Sequence, residues 1–101
     1  RTIVFLIREG ENNAVHGADL ARCVNMDARE LRQAIERLRR NGVIIASSPK
    51  GYYYPANMGE LAAFVHKEER RARSVFYTIK AARQLLKQQE ALDGKRKEKQ
   101  S

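Results

Sequence analysis

Residues 27–41, DARELRQAIERLRRN, decide the fold because they carry the whole pattern of one amphipathic helix. Asp27 and Glu30 have the spacing of a capping box, and Gly42 follows at a position where helices commonly end. Apolar side chains recur at the spacing of a buried stripe, namely Leu31, Ile35 and Leu38. At about 100° per residue, the opposite face is polar and consists of Arg29, Gln33, Glu36 and Arg40, flanked by Arg32 and Arg37. The stretch therefore predicts a helix with one buried face and one charged face.

The chain has 101 residues and 43% apolar side chains, which is the size of one domain with a modest core. No apolar run approaches the roughly 20 residues of a membrane span, and residues 3–7 are too short a run for a signal peptide. Cys23 is the only cysteine, which excludes an internal disulfide and suits a reducing compartment. We therefore expect a cytoplasmic protein without a membrane partner.

The net charge of +8 is unevenly distributed along the chain. Residues 1–58 carry nine basic and six acidic side chains, whereas residues 66–101 carry 11 basic and five acidic ones. A basic protein gains affinity for any polyanion by releasing the counterions around it. The charge therefore predicts a polyanionic partner. The excess of basic residues lies toward the C-terminus.

A second helix precedes residues 27–41. Residues 18–24 have helical spacing, with Leu20, Ala21 and Val24 on one side and Cys23 expected to pack beside them. A connection of about three residues separates the two helices, which is the geometry of a helix-turn-helix, and the small Ala21 allows a close crossing. Upstream, residues 2–9 fit a short helix, with a strand as the alternative, and residues 14–16 fit a very short strand.

The periodicity changes from helical to extended after Gly42. Residues 43–46 and 52–54 are strand-like, and the turn residues 47–51 between them predict a hairpin. Alternation directs Val43, Ile45, Tyr52 and Tyr54 toward the core and Tyr53 toward solvent. The alternative, in which all three tyrosines form a platform for stacking bases, is disfavoured by this period of two.

Residues 58–92 predict one long helix with a heptad seam. Its members are Leu61, Val65, Glu68, Ala72, Val75, Ile79, Ala82 and Leu86, and Phe64, Phe76 and Leu85 widen it. We expect Leu61, Phe64 and Val65 to dock on the chain's own domain. The far part outruns so small a domain, so we assign homodimerisation to Ala72, Val75, Phe76, Ile79, Ala82 and Leu86. Residues 93–101 are predicted to be a disordered basic tail.

The order helix, short strand, helix-turn-helix and hairpin resembles the winged helix-turn-helix domain, particularly that of bacterial repressors of the biotin-repressor type. The residues that carry the resemblance are Gly17-x-x-Leu20-Ala21, Val24, Met26, Leu31-x-x-x-Ile35-x-x-Leu38, Gly42-Val43-x-Ile45 and Gly51-Tyr52-x-Tyr54. It implies a mainly α (α+β) fold with this domain at residues 1–57 and a two-stranded wing. It also implies a bacterial or phage transcriptional regulator, such as a repressor, that binds double-stranded DNA sequence-specifically as a homodimer.

In such a domain, the helix at residues 27–41 enters the major groove. The resemblance implies that Arg29, Arg32, Gln33 and Glu36 face base edges and that Arg37 and Arg40 meet phosphates. The wing would follow the DNA backbone or minor groove with Ser47, Ser48, Lys50 and Tyr53. Glu36 has an alternative role, because it can pair within the helix with Arg32 or Arg40.

The sequence also bears on two other classes of function. A protein-interaction or replication-complex module would bind nucleic acid without reading sequence, through Arg70, Arg71, Arg73 and Lys80. An enzyme is not indicated, because no nucleophile–base pair or Gly-rich phosphate loop is evident. His16, Cys23 and His66 do not have the spacing of a zinc site. We therefore expect no cofactor, metal or small-molecule ligand.

Overall fold

A computed structural model describes residues 3–100, with side chains described up to residue 94. Its contacts divide the chain into an N-terminal unit, Arg1–Val65, and a C-terminal unit, His66–Ser101. The helices are α1 (Ile3–Leu6), α2 (Gly17–Cys23), α3 (Ala28–Arg40) and α4 (Met58–Gln100), and a 3-10 turn spans Glu11–Asn13. Strands β1 (Ala46–Ser48) and β2 (Gly51–Tyr53) form one antiparallel pair. The predicted mainly α (α+β) class, with a two-stranded sheet and a long C-terminal helix, is confirmed.

Helix α3 begins and ends as its sequence predicts. The Glu30 amide donates to the Asp27 carboxylate at 2.7 Å, and the Asp27 amide donates to the Glu30 carboxylate at 3.0 Å, which completes the capping box. At the other end, Gly42 is left-handed, with φ of 91°. This lets the Val43 amide reach back to the Leu38 carbonyl at 2.9 Å. Both ends are therefore fixed by local chemistry.

Helix α2 ends in the same way as α3, with a left-handed residue after its last turn. Asn25 is left-handed, with φ of 54°, and the Met26 amide donates to the Ala21 carbonyl at 2.9 Å. Ala21 is buried, as a close helix crossing requires. Cys23 is exposed, so the prediction that it packs beside the face of Leu20, Ala21 and Val24 is wrong. Its side chain points about 160° away from Ala21 and about 100° away from Val24 around the helix.

The core lies between the helices and the hairpin. Its buried members are Ile3, Ile7, Leu20, Ala21, Leu31, Ile35 and Ile45. The predicted stripe of α3 is confirmed, because Leu31 and Ile35 are buried and Leu38 packs against them while partly buried. Val43 and Ile45 also pack inward as alternation predicts.

The hairpin is tighter than its sequence predicted. Ser48 pairs with Gly51, so the turn contains only Pro49 and Lys50, and Ser47 lies within β1. The predicted turn over residues 47–51 was too long, because Gly51 reverses the chain with φ of 128° and still pairs across the hairpin. The paired strands are correspondingly displaced from the predicted residues 43–46 and 52–54.

Strand β2 is paired on both edges. On the side opposite β1, Tyr52 exchanges two backbone hydrogen bonds with Val15, at 2.8 and 2.9 Å, as the predicted short strand there requires. The Gly10 amide donates to the Tyr54 carbonyl at 2.8 Å. Only glycine fits at position 51, because a Cβ there would overlap the Val15 carbonyl group. The hairpin is therefore joined to the segment that precedes α2.

Tyr53 does not face solvent, and that prediction is wrong. Its exposed fraction is 7%, and its partner across the sheet, Ala46, is also buried. The face of β2 that points away from the core is covered by the 3-10 turn and the start of α4. These two segments are joined there, because the Glu60 carboxylate accepts a hydrogen bond from the Glu11 amide at 3.2 Å. Tyr52 and Tyr54 pack against the core, as predicted.

Helix α4 starts at the predicted position, where the Asn57 side chain accepts the Glu60 amide at 2.9 Å. It continues to Gln100, through the segment predicted to be a disordered tail; Ser101 lies outside the described residues. Lysine, arginine, glutamate and glutamine are good helix formers, and the single Gly94 costs only about 1 kcal/mol, so this segment lacks a strong helix breaker. In the described part of the chain, no helix combines the length and the apolar character that crossing a membrane requires.

Candidate nucleic-acid interface

Helix α3 presents five polar side chains on its outer face. All are exposed, and none of these side chains forms a hydrogen bond or ion pair with another described residue: Arg29, Arg32, Gln33, Arg37 and Arg40. The buried stripe on the other face fixes the rotation of the helix, so these side chains lie along one side of the N-terminal unit. They carry four positive charges and one amide, which suit phosphates and base edges.

Glu36, the sixth residue predicted for this face, is engaged within the helix. Its carboxylate accepts from the Arg39 guanidinium at 2.7 Å, and its side chain is 39% exposed. Its partner is therefore neither Arg32 nor Arg40, the two residues predicted for this role. Its role at a base edge stays a prediction, and it would require Glu36 to leave Arg39.

Arg39 is the residue that sequence reasoning missed. Its side chain is only 13% exposed, and its Nε donates to the Ile45 carbonyl at 2.7 Å. Its guanidinium lies over the Phe64 ring, 5.2 Å from the ring centroid. One signal was present, because Arg39 follows Ile35 by four residues and therefore shares the buried side of α3. Arg39 joins α3 to the loop before β1 and to the start of α4.

The hairpin presents one cation. Lys50 is exposed in the two-residue turn, its amide donates to the Ser48 hydroxyl at 3.1 Å, and its ammonium donates to the Asn12 side chain at 3.3 Å. Ser47 and Ser48 are half-buried in β1. Beside this turn lies a cavity of about 370 Å³ lined by Arg8, His16 and Lys50, among others. Of the hairpin residues predicted to contact DNA, Lys50 is the most accessible and Tyr53 the least.

Two neighbouring tyrosines, Tyr53 at the end of β2 and Tyr54 directly after it, have raised pKa values. Burial raises the pKa of the Tyr53 hydroxyl above 10.0, and the nearby Glu11 and Glu60 carboxylates raise it further. Burial also raises the pKa of Tyr54, whose hydroxyl donates to the Val4 carbonyl at 2.6 Å. Both side chains therefore remain neutral near pH 7 and serve as packing groups, and the Tyr54 hydroxyl is also a hydrogen-bond donor.

The predicted dimerisation seam on α4 is exposed in this chain. Every residue from 69 to 94 is exposed, including Val75 at 53% and Ile79 at 45%. Nearer the start of the helix, Leu61 and Phe64 are half-buried in the N-terminal unit as expected, whereas Val65 is 44% exposed. The seam is thus available to a partner, and its use in dimerisation stays a prediction.

Among the described residues, no group of three histidine, cysteine, aspartate or glutamate side chains is arranged to hold a metal ion. Comparison of the chain with protein-family models, with curated proteins and with solved structures finds no match.

Proposed function

We propose that this chain is a sequence-specific double-stranded DNA-binding protein of the winged helix-turn-helix class. In this proposal α3 is the recognition helix, the β1–β2 hairpin is the wing, and the protein acts in the cytoplasm as a bacterial or phage transcriptional regulator. A homodimer through α4 would read two half-sites, as the two-fold symmetry of such a pair suggests.

One observation carries the proposal: a doubly capped helix with a fixed buried stripe has five exposed polar side chains on its other face. A rigid, regular presentation of arginine and glutamine is what major-groove readout requires, because these side chains form bidentate bonds with guanine and adenine. The pairing of Val15 with Tyr52 adds support, since it supplies the third extended segment that accompanies a wing.

Selection from random duplex DNA tests this proposal. We expect a defined motif to be enriched and to survive competition with unrelated duplex. On the selected site, Arg32→Ala and Gln33→Ala should each weaken binding by about 1–3 kcal/mol.

Gln33→Ala is the sharper variant because it removes no charge, so binding to random duplex should hardly change. Equal loss on selected and random DNA would show that Gln33 reads no base. Failure to enrich any motif would remove the sequence-specific function altogether.

The distribution of charge favours a second candidate. Residues 1–65 carry nine basic and seven acidic side chains, a net charge of only +2, whereas residues 66–101 carry +6. An N-terminal unit so close to neutral suits a protein-interaction or replication-complex module whose basic helix holds nucleic acid nonspecifically. This candidate predicts that the same selection enriches nothing and that α3 variants leave nucleic-acid affinity unchanged.

A further inference from the structure

The exposed part of α4 contains a long stretch with positive charge and no negative charge. Residues 70–89 include six arginine or lysine residues and no aspartate or glutamate. All of these residues are exposed. Such a stretch attracts a polyanion through counterion release, whatever the N-terminal unit does.

Two aromatic rings lie among these basic residues. Phe76 is 59% exposed and Tyr77 is 61% exposed, and their ring centroids are 5.6 Å apart in an edge-to-face arrangement. Arg73 lies one turn before the pair and Lys80 one turn after it, about 10.5 Å from each other along the helix. The rings are therefore bracketed by cations on the same side of α4. We call this the basic–aromatic face: Arg73, Phe76, Tyr77, Lys80, Arg83 and Lys87.

The basic–aromatic face is distinct from the seam assigned to dimerisation. Tyr77 precedes Ile79 by two residues, which places the two side chains about 160° apart around the helix. A partner helix packed on Ile79 would leave Tyr77 exposed. Phe76 lies at the border between the two surfaces.

We propose that the basic–aromatic face binds single-stranded nucleic acid. Tyr77, with Phe76 beside it, stacks on unpaired bases, and Arg73, Lys80, Arg83 and Lys87 contact the phosphates. Exposed rings among cations are the chemistry of such sites, because every base offers an aromatic face and every nucleotide a charge. This function goes beyond sequence-specific duplex binding and does not depend on it.

Two features favour a single strand over other polyanions. In a duplex the base faces are covered by their neighbours, so exposed rings would gain little there, whereas unpaired bases are free to stack. A lipid surface would favour a helix with a segregated apolar side. On α4, Ala81 and Leu92 lie about 160° and 140° from Ile79 around the helix, so apolar residues are not confined to the side of the seam.

Fluorescence anisotropy with the full chain tests the proposal, using a labelled 20-nucleotide single strand of mixed sequence and the duplex of the same sequence. We expect tighter binding to the single strand. Tyr77→Ala should weaken single-strand binding roughly 5- to 100-fold and leave duplex binding within about twofold. Tyr77→Phe keeps the ring and should restore the affinity.

The cations are tested by salt titration. The double variant Arg73→Gln/Lys80→Gln should make the dependence of log K on log salt shallower by about 1.4 for the single strand. Arg22→Gln is the control, because Arg22 is an exposed cation of α2 that pairs with Asp19 and belongs to no proposed binding surface. In this variant the salt dependence should change by less than half as much. Circular dichroism at 222 nm verifies that each variant remains helical.

Three results would overturn the proposal. Tyr77→Ala could bind the single strand as tightly as the unmutated chain, which would mean that the ring takes no part. The duplex could bind at least as tightly as the single strand, with all variants weakening both equally, which would leave only a charge effect. Vesicles of phosphatidylserine and phosphatidylcholine could bind while the single strand does not, which would assign a lipid partner. Gln33→Ala separates the two proposals, because it should affect the selected duplex and not the single strand.

Discussion

Helix α3 and residues 70–89 of α4 have similar densities of arginine and lysine but use their apolar residues in opposite ways. Helix α3 has five cations in 13 residues, and the α4 segment has six in 20. Helix α3 buries Leu31 and Ile35 in a core, whereas the α4 segment leaves Val75 and Ile79 about half exposed. Similar compositions therefore produce a rigid element in one place and an open surface in the other.

The difference shows which interactions stabilise each helix. Tertiary packing of an apolar face contributes most of the stability of helices in proteins, and α3 has that packing together with caps at both ends. The exposed part of α4 depends on good helix formers and on whatever covers its seam. We therefore expect that loss of a partner leaves the core of the N-terminal unit folded, whereas it destabilises the helix along the seam of α4.

The largest expected effect is on folding stability. Ile35→Ala should lower the free energy of unfolding by about 2–5 kcal/mol, because it removes a buried side chain and leaves a cavity. Leu85→Ala, at a side chain that is 67% exposed, should change it by less than about 0.5 kcal/mol. Urea denaturation followed by circular dichroism measures both. Similar losses at the two sites would break the contrast between the helices.

The next effect concerns association. Ile79→Lys should shift the chain toward monomer, because burial of an isoleucine contributes about 1.5–3 kcal/mol and the new charges would face each other in a symmetric pair. Sedimentation equilibrium at micromolar concentrations measures the shift. Lys87→Gln, on the neighbouring face, serves as the control and should leave the mass unchanged. A monomer mass for the unmutated chain would refute the dimer and the expectation of a palindromic site.

An effect of comparable size distinguishes two neighbouring arginines of α3. Arg39→Ala should cost about 1.5–3 kcal/mol of stability, because it leaves the Ile45 carbonyl and Glu36 without their charged donor. Arg40→Ala, at an exposed position, should cost less than about 0.5 kcal/mol. Arg39→Lys should not restore the loss, since a lysine cannot reproduce the planar fork. Thermal unfolding of the three variants would contradict this account if Arg39 and Arg40 behaved alike.

The smallest effect appears only in alkali. The pKa of Tyr53 is raised in the folded chain, so this residue holds its proton more tightly there than in the unfolded chain. Its contribution to stability is therefore complete below the unfolded pKa of about 10 and is lost as the pH rises through the folded pKa. Tyr53→Phe should flatten the fall in stability above about pH 10 relative to the unmutated chain. An unchanged alkaline profile in this variant would mean that Tyr53 does not couple folding to pH.

Local patterns in the sequence predicted the local parts of the structure. The capping box of Asp27 and Glu30, the end at Gly42 and the stripe of α3 all depend on residues within one helix, so spacing alone reveals them. The outer face of α3 followed for the same reason. The exposure of the α4 seam was predicted from length, because a long helix extends beyond what a small domain covers.

Distant contacts account for the parts that the sequence did not predict. Tyr53 is buried because the 3-10 turn and the start of α4 meet over β2, and alternation along one strand contains no information about that cover. Arg39 is engaged because Phe64, 25 residues later, lies under its guanidinium. The register of the hairpin was not predicted because Gly51 reverses the chain and still pairs with Ser48. The partner of the α3 face stays a prediction, because exposed arginine and glutamine suit several ligands.

The hydrogen bond from the Tyr54 hydroxyl to the Val4 carbonyl joins residues that are 50 positions apart. A ribosome makes about 5–20 residues per second, so roughly 3–10 s pass between the synthesis of Val4 in α1 and that of Tyr54, its hydrogen-bond partner. During that interval, Ile3 and Ile7 have no complete core to enter. We expect a nascent chain halted before Tyr52 to be degraded readily and one extended past residue 65, with that segment clear of the exit tunnel, to resist proteolysis. The N-terminal unit is therefore closed by its last strand and the first turn of α4, and its opening helix is among the last parts secured.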